Sequence, residues 1–408
     1  MTTSSTSVPM LLRNVRPIGF AETFSPDEID VLVDDQGRVA GTGAGLTVPT
    51  GAVVHEMRGA YLSPGWVDLH THIYHGATDI SVRAKHIGIA TGVTTLVDAG
   101  SAGEANFVGF DEYVAQTAQE RIFAILNIGS IGLVACNRVS ELIDERSIDI
   151  DRTLDCVEQH RHLIRGIKVR ASGVIVGNWG IGPVKIAKKI AKLTNLPLMV
   201  HVGELAPLVE EVFELLTEGD IVTHCFHGKR GGNLMEDADL MAWARRLASQ
   251  GVVMDIGHGA ASFSYAVAMA AMGQGFYPTT ISSDLHLRNI GGPVWDLSLV
   301  MSKMLALQMP LHEVVAAAST RALKAVREPH QGLLAQGARA DFTLFRLEDI
   351  ACALPDAMGH PLQLTQLIRP CNVVLGHQLL PAQSRYQPST HAAGPYSDHG
   401  APAGGASC

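Results

Sequence analysis

Residues 65–72 read Gly65-Trp66-Val67-Asp68-Leu69-His70-Thr71-His72, and this stretch decides how the rest of the chain is read. It follows Leu62-Ser63-Pro64, so a turn leads into a short buried strand. Side chains two apart on a strand share a face. His70 and His72 therefore present two imidazoles side by side, and imidazole is the commonest metal ligand. Two histidines alternating on a solvated strand are the bland alternative.

Outward from this stretch, apolar β-branched strands alternate with segments of helical period, the pattern of a parallel sheet built from βα units. Eight strands are expected, near 66–72, 93–98, 122–128, 166–171, 197–202, 220–224, 252–255 and 280–284. Helices are expected between them at 182–193, 208–216, 237–248 and 265–272, with a last pair at 295–307 and 311–326. The span 63–328 is close to the ~250 residues of a (β/α)8 TIM barrel. An open doubly wound sheet is disfavoured, because eight βα units in this length suit closure and no GxGxxG follows the first strand.

The flanks differ. Residues 9–62 read as short strands, clearest at 29–33 and 52–55, with glycine-rich turns such as Gly41-Thr42-Gly43-Ala44-Gly45 between them. Residues 332–347 and 373–380 read as strands again and are expected to complete the N-terminal sheet. The expected domains are 9–62 plus 329–381 as a small β-domain, 63–328 as the barrel, and 382–408 as a disordered tail rich in Ala, Gly, Pro and Ser.

Composition narrows the classes. The 408 residues are 47% hydrophobic and 17% charged, enough for a sizeable core. A net charge of -9 without a Lys/Arg cluster argues against nucleic acid or an anionic membrane as partner. The six cysteines are scattered without a CxxC pair, which points to reduced thiols in a cytosol. Residues 1–8 are polar, so no signal peptide is expected, and no apolar run approaches the roughly 18 residues of a membrane span. The partner expected is a small-molecule substrate, with a homo-oligomer left open. The unusual count is 18 histidines.

Barrel sites form at the C-terminal ends of strands. In order, those ends carry His70 and His72, Lys168, His201, His224 and Asp284. A lone strand-end histidine is more often a hydrogen-bonded core residue, but six such groups in register make metal binding the better reading.

This order resembles the amidohydrolase superfamily over nearly the whole chain. The resemblance implies a barrel flanked by a β-sandwich made from both termini, and a binuclear centre, usually Zn²⁺. His70 and His72 match the ligands of the more buried metal, and His201 and His224 those of the second. Lys168 matches a bridging lysine carboxylated on its terminal nitrogen, and Asp284 the aspartate that binds metal and moves protons. Charge accounts for these roles. An ammonium could not sit between two cations, whose field favours the neutral amine and then the anionic carbamate. Two Zn²⁺ about 3.5–4 Å apart can share a water and lower its pKa from about 15.7 toward ~7. That hydroxide attacks the substrate carbonyl, and Asp284 relays the proton to the leaving group. A purely structural ion pair is the alternative for Lys168.

The runs Val200-His201-Val202-Gly203-Glu204, His224-Cys225-Phe226-His227-Gly228-Lys229 and Asp284-Leu285-His286 look most like bacterial deacetylases grouped with dihydroorotase-like members. These cleave acetyl esters of α-hydroxy acids and N-acetyl amino acids. Dihydroorotases carry an arginine two residues after the second histidine, where this chain has Tyr74. Single-metal deaminases carry His-x-x-Glu at the fifth strand, as His201 and Glu204 do here, but lack the lysine bridge. Glu204 is therefore expected behind the site. Arg170, on the face of Lys168, is the first candidate to grip a substrate carboxylate; pairing with a loop acid is its alternative. Arg288 is the rival, and His286 a candidate pocket wall.

Overall fold

The computed structural model describes residues 8–20, 28–328 and 332–388. The polar start, residues 1–7, and the tail beyond residue 388 lie outside the described residues.

Seven parallel strands form the central sheet: β6 (Trp66–Thr71), β7 (Val93–Gly103), β8 (Arg121–Asn127), β9 (Ile164–Ala171), β10 (Leu198–Val202), β11 (Ile221–Thr223) and β12 (Val253–Asp255). Each pairs with the next in chain order. The expected eighth strand is shorter than read. Residues 280–285 make isolated parallel bridges only, Asp255 to Thr280 on one side and Thr71 to Leu285 on the other. Backbone bonds continue them: His258 N to Ser282 O at 3.1 Å, and His72 N to Leu285 O at 3.0 Å. This segment thus touches both the last and the first strand of the sheet.

The strands are buried on both faces, as a sheet covered by helices requires. Val97, Phe123, Ile125, Met199, Ile221 and Val253 pack together inside, while Leu96, Ile167, Val200, Val222 and Met254 face the outer core. Val67 and Leu69 also belong to the inner group. The register of β6 on β7 shifts between Asp68 and Thr71. Such an irregularity moves later side chains to the other face, so His70 and His72 point inward as well.

Helices close to expectation lie at Gly182–Thr194, Ala238–Ser249, Tyr265–Gly273 and Leu297–Ala306. The expected helix 311–326 is two, Leu311–Ala317 and Thr320–Ala325. Helix Ile150–Gln159 was not anticipated; Asp149 caps it by accepting from Arg152 N at 3.0 Å. Among the described residues no helix is long and apolar enough to cross a membrane.

The remaining strands come from both ends of the chain: β1 (Met10–Pro17), β2 (Ile29–Val33), β3 (Val39–Gly43), β4 (Val53–Glu56), β5 (Tyr61–Pro64), β13 (Asp341–Pro355), β14 (Pro361–Leu375) and β15 (Gln378–Pro381). They form one hydrogen-bonded network, with β5 running antiparallel to β13. β13 and β14 make a hairpin far longer than the sequence suggests. From Asp349 to Leu354 exposed residues alternate with more buried ones, but Ala351 and Ala353 fill exposed positions, so hydrophobicity alone shows little contrast along the strand. The start of the expected disordered tail is also packed. Ser384 Oγ and Arg385 N both donate to Asp296, and Tyr386 is buried beside Trp295.

Phe345 joins the two parts. It is fully buried, stacks on Tyr61 at 5.2 Å and tilts against Trp66 at 5.6 Å. Phe345→Ala should cost about 3–5 kcal/mol, the range for truncating a buried aromatic. Urea unfolding measures it, and a cost within about 0.5 kcal/mol of zero, as at surface positions, would mean that this contact does not hold the two parts together.

Candidate metal centre

The strand ends converge as their spacing requires. His70 Nε2 lies 3.4 Å and His72 Nε2 3.1 Å from Asp284 Oδ1. These three residues form a buried group whose ligand atoms lie within 4.8 Å of one another. Lys168 Nζ is 3.3 Å from His70 Nε2 and 3.2 Å from Met199 Sδ. His201 Nδ1 faces His224 Nε2 at 3.0 Å. One pocket is walled by His70, His72, Lys168, His201 and Asp284. His224 stands behind His201, with no exposed surface.

Hydrogen bonds behind the imidazoles fix which nitrogen each presents. Thr223 Oγ1 spends its only proton on Asp255 Oδ2 at 2.7 Å. It must therefore accept from His70 Nδ1, at 2.8 Å, which leaves the Nε2 lone pair facing Asp284. Gly257 O can only accept, so His224 donates from Nδ1 at 2.6 Å and turns its Nε2 lone pair to the site. His72 Nδ1 meets Ser101 Oγ at 2.9 Å. Support of this kind orients a metal-binding histidine. Sequence reasoning missed Thr223, Ser101 and Asp255, because small hydroxyl residues and one more strand-end acid carry no spacing signal.

The electrostatics suit a cation. Burial alone would raise the Asp284 carboxyl, but His70, His72 and His286 hold it well below the usual range. Burial drives His70 well below its ordinary value and His224 down to about 3. Burial also pulls the Lys168 amine down to about 7, against the opposing pull of Asp284. The backbone is strained here: His224 has φ +69° and Asp284 φ +48°, a region non-glycine residues seldom adopt.

The expected substrate contacts fare unevenly. His286 lines the pocket, as do Ile80 and Leu133. Arg288 is exposed and stands outside that wall. Arg170 lines it, but its Nε and Nη2 donate to Glu141 at 2.7 and 2.5 Å. The fork reserved for a substrate carboxylate therefore already grips a loop acid that is fully buried. Burial would raise Glu141, but Arg170 outweighs it and holds the carboxyl low. Glu204 sits behind the site, bonded to Ser172 and, at 2.8 Å, to Lys229. Burial pushes its carboxyl up, but those bonds prevail and hold it at about 2.

A parallel α/β sheet with a His-His-Asp cluster at its strand ends defines a metal-site protein of the hydrolase type. The chain belongs to the amidohydrolase family, whose profile matches residues 61–374. It is 50% identical over 380 residues to a protein of Agrobacterium fabrum named deacetylase, covering 93% of each chain. It is 49% identical to a Brucella anthropi protein also named deacetylase, over 93% of this chain and 94% of that one. A crystal structure described as a dihydroorotase superposes with a TM-score of 0.88 at 49% identity, over 92% of this chain and 98% of the other. The chain is accordingly a hydrolase.

Removing one partner of a buried ion pair costs about 3–5 kcal/mol, because it strands the other charge. Arg170→Met and Glu141→Leu should each lose about that much stability by the same reasoning, and the double variant much less than their sum. Denaturant unfolding of all three decides it. Losses that add to within about 0.5 kcal/mol would show the two side chains to be uncoupled.

Proposed function

We propose that this chain is a binuclear metal-dependent deacetylase. Its substrate is a small carboxylate-bearing acetyl ester or amide, an acetylated α-hydroxy acid or an N-acetyl amino acid. The observation that carries this is the convergence of His70, His72, His201, Lys168 and Asp284 on one pocket, with His224 against His201, on a chain half identical to a protein named deacetylase.

The donor set fits two ions. His70, His72 and Asp284 would hold the first, and His201 Nδ1 and His224 Nε2 the second, with Lys168 between them. We read both as Zn²⁺, which favours nitrogen donors. Bound there, they would polarise the scissile carbonyl and acidify water. Lys168 is suited to carboxylation because burial makes the neutral amine accessible near pH 7. Its lone pair forms an N–C bond to CO₂, a C–O π pair moves to oxygen, and the nitrogen loses a proton. Asp284 holds and relays a proton at its carboxylate. Arg170 adds positive charge to the pocket wall while gripping Glu141, His286 borders the acyl position, and Arg288 serves from the rim.

The same reading takes residues 280–285 as the eighth stave of a closed (β/α)8 barrel spanning 63–328. Residues 9–62 and 329–381 are read as a β-sandwich: β1 pairs with β2 and β4 at one end and with β5 at the other, across a bulge between Leu12 and Val15. We place the enzyme in the cytosol, as its scattered cysteines suggest.

A dihydroorotase or hydantoinase-type ring opener is the second reading, favoured by the similar structure described as a dihydroorotase. Tyr74 counts against it: at the position of the dihydroorotase arginine, its hydroxyl is bonded to Asn106 O at 2.8 Å. A single-metal aminohydrolase ranks third, since Glu204 is engaged by Lys229 and Ser172. Assaying acetylated hydroxy acids and N-acetyl amino acids of both hands against cyclic amides separates the first two. Ammonia release would mark the third.

Elemental analysis of protein purified without chelator should find about two divalent ions per chain, as in other two-metal hydrolases. One ion at full activity overturns the binuclear reading. Lys168→Ala should lose metal and activity together, and a short carboxylic acid in the buffer should restore part of both. Unchanged metal content and rate would leave Lys168 a structural residue.

Asp284→Asn should fold normally yet lose about 10²–10⁴-fold in kcat, the usual contribution of a general acid–base group. Retention of most of kcat would move the proton relay to another residue.

A further inference from the structure

Lys303 lies on helix Leu297–Ala306, outside the metal pocket, and is completely buried. Its ammonium donates to Pro293 O at 2.7 Å, to Pro355 O at 2.7 Å and to His258 Nε2 at 2.9 Å. These three bonds use every N–H it has. His258 is equally buried and donates from Nδ1 to Gly259 O at 2.9 Å. Its Nε2 therefore carries the lone pair that Lys303 requires. The ring also packs on Phe263, with centroids 4.7 Å apart.

His258 is the middle residue of Gly257-His258-Gly259, the turn that leaves β12. This turn supports two residues of the candidate centre. Gly257 O holds the His224 ring by its Nδ1. Gly259 forms the wall behind Asp284, where a Cβ would stand 2.6 Å from Oδ2. Both glycines have positive φ, +45° and +61°, a region that glycine enters without strain. Gly257 N donates to Ser282 Oγ, and His258 N and Gly259 N donate to Ser282 O and Ser283 O; these bonds hold one side of the turn, and the His258 side chain anchors it to Lys303 on the other.

We propose that Lys303 and His258 are positioning residues, and that their buried hydrogen bond sets the 257–259 turn and, through it, the placement of His224 and Asp284 for metal. The proposal rests on the metal-centre reading above. Because the same ammonium holds Pro355 O, at the end of β13, the C-terminal hairpin and the metal pocket share one anchor.

The test compares full-length wild type with His258→Leu, His258→Gln and Lys303→Met, using Zn²⁺ alone against a competing chelator and Co²⁺ absorption as a second readout. His258→Leu should keep the wild-type circular dichroism but bind metal about 10–100-fold more weakly, the usual effect of removing support behind a ligand. At saturating metal its kcat should fall while KM changes little. His258→Gln should recover most of the affinity, since its carbonyl can accept from Lys303 and its N–H can donate to Gly259 O. Lys303→Met should match His258→Leu. Wild-type affinity in His258→Leu would overturn the proposal, as would a His258→Gln variant as weak as the leucine, which would credit ring packing instead. Wild type that binds no Zn²⁺ would overturn the metal-centre reading itself, and the same titration shows it.

Discussion

The buried carboxylate of Asp255 ties the closing region of the sheet to the candidate centre. It accepts from Thr280 at Oδ1 and from Thr223 and Ser282 at Oδ2, each at 2.7 Å. Burial pushes the carboxyl up, and the three hydroxyls offset only part of that rise. Residues 280–285 make only isolated bridges to their neighbours, so side-chain bonds do here what a longer ladder would do elsewhere. Through Thr223 the same carboxylate sets the proton position on His70. An unpaired carboxylate at this depth would be costly, so the hydroxyls are part of the design of the strand ends.

The pattern behind these ends was readable from the chain itself. A side-chain period of two and a rule that sites form at strand C-termini brought His70, His72, Lys168, His201, His224 and Asp284 to one place. The places of seven strands were legible because buried parallel strands are nearly continuous apolar runs, but not every end: β7 runs on to Gly103 and the eighth makes only isolated bridges. Side-chain partners were not. Nothing in the spacing joins Glu141 to Arg170, because the acid comes from an irregular loop 29 residues earlier. The bulge that turns His70 inward after Leu69 leaves no mark in hydrophobicity. The long hairpin escaped for a related reason: β13 alternates exposed and more buried positions from Asp349 to Leu354, but Ala351 and Ala353 on the exposed side leave little contrast in hydrophobicity.

The pairing of a loop acid with Arg170 changes how the pocket is understood. A guanidinium that grips Glu141 fixes the loop running over the pocket, and that loop contributes Leu133 to its wall. Selectivity then depends on the shape such a loop imposes as well as on charge. Arg170 links the strand end, where the candidate centre lies, to the irregular segment that carries Glu141, and such segments are generally the more variable parts of a fold.

The meeting of both chain ends has a consequence in time. Ser63 Oγ donates to Thr343 O, a residue 280 positions later, and β5 finds its antiparallel partner in β13. At the roughly 5–20 residues per second of ribosomal synthesis, that partner emerges on the order of a quarter-minute to a minute after β5. For that interval the nascent chain carries an open strand edge beside an apolar surface, the kind of feature that recruits unwanted pairing. The network of strands around β5 is thus begun before the central sheet and completed after it, and whatever shields β5 meanwhile is part of how this hydrolase reaches its fold.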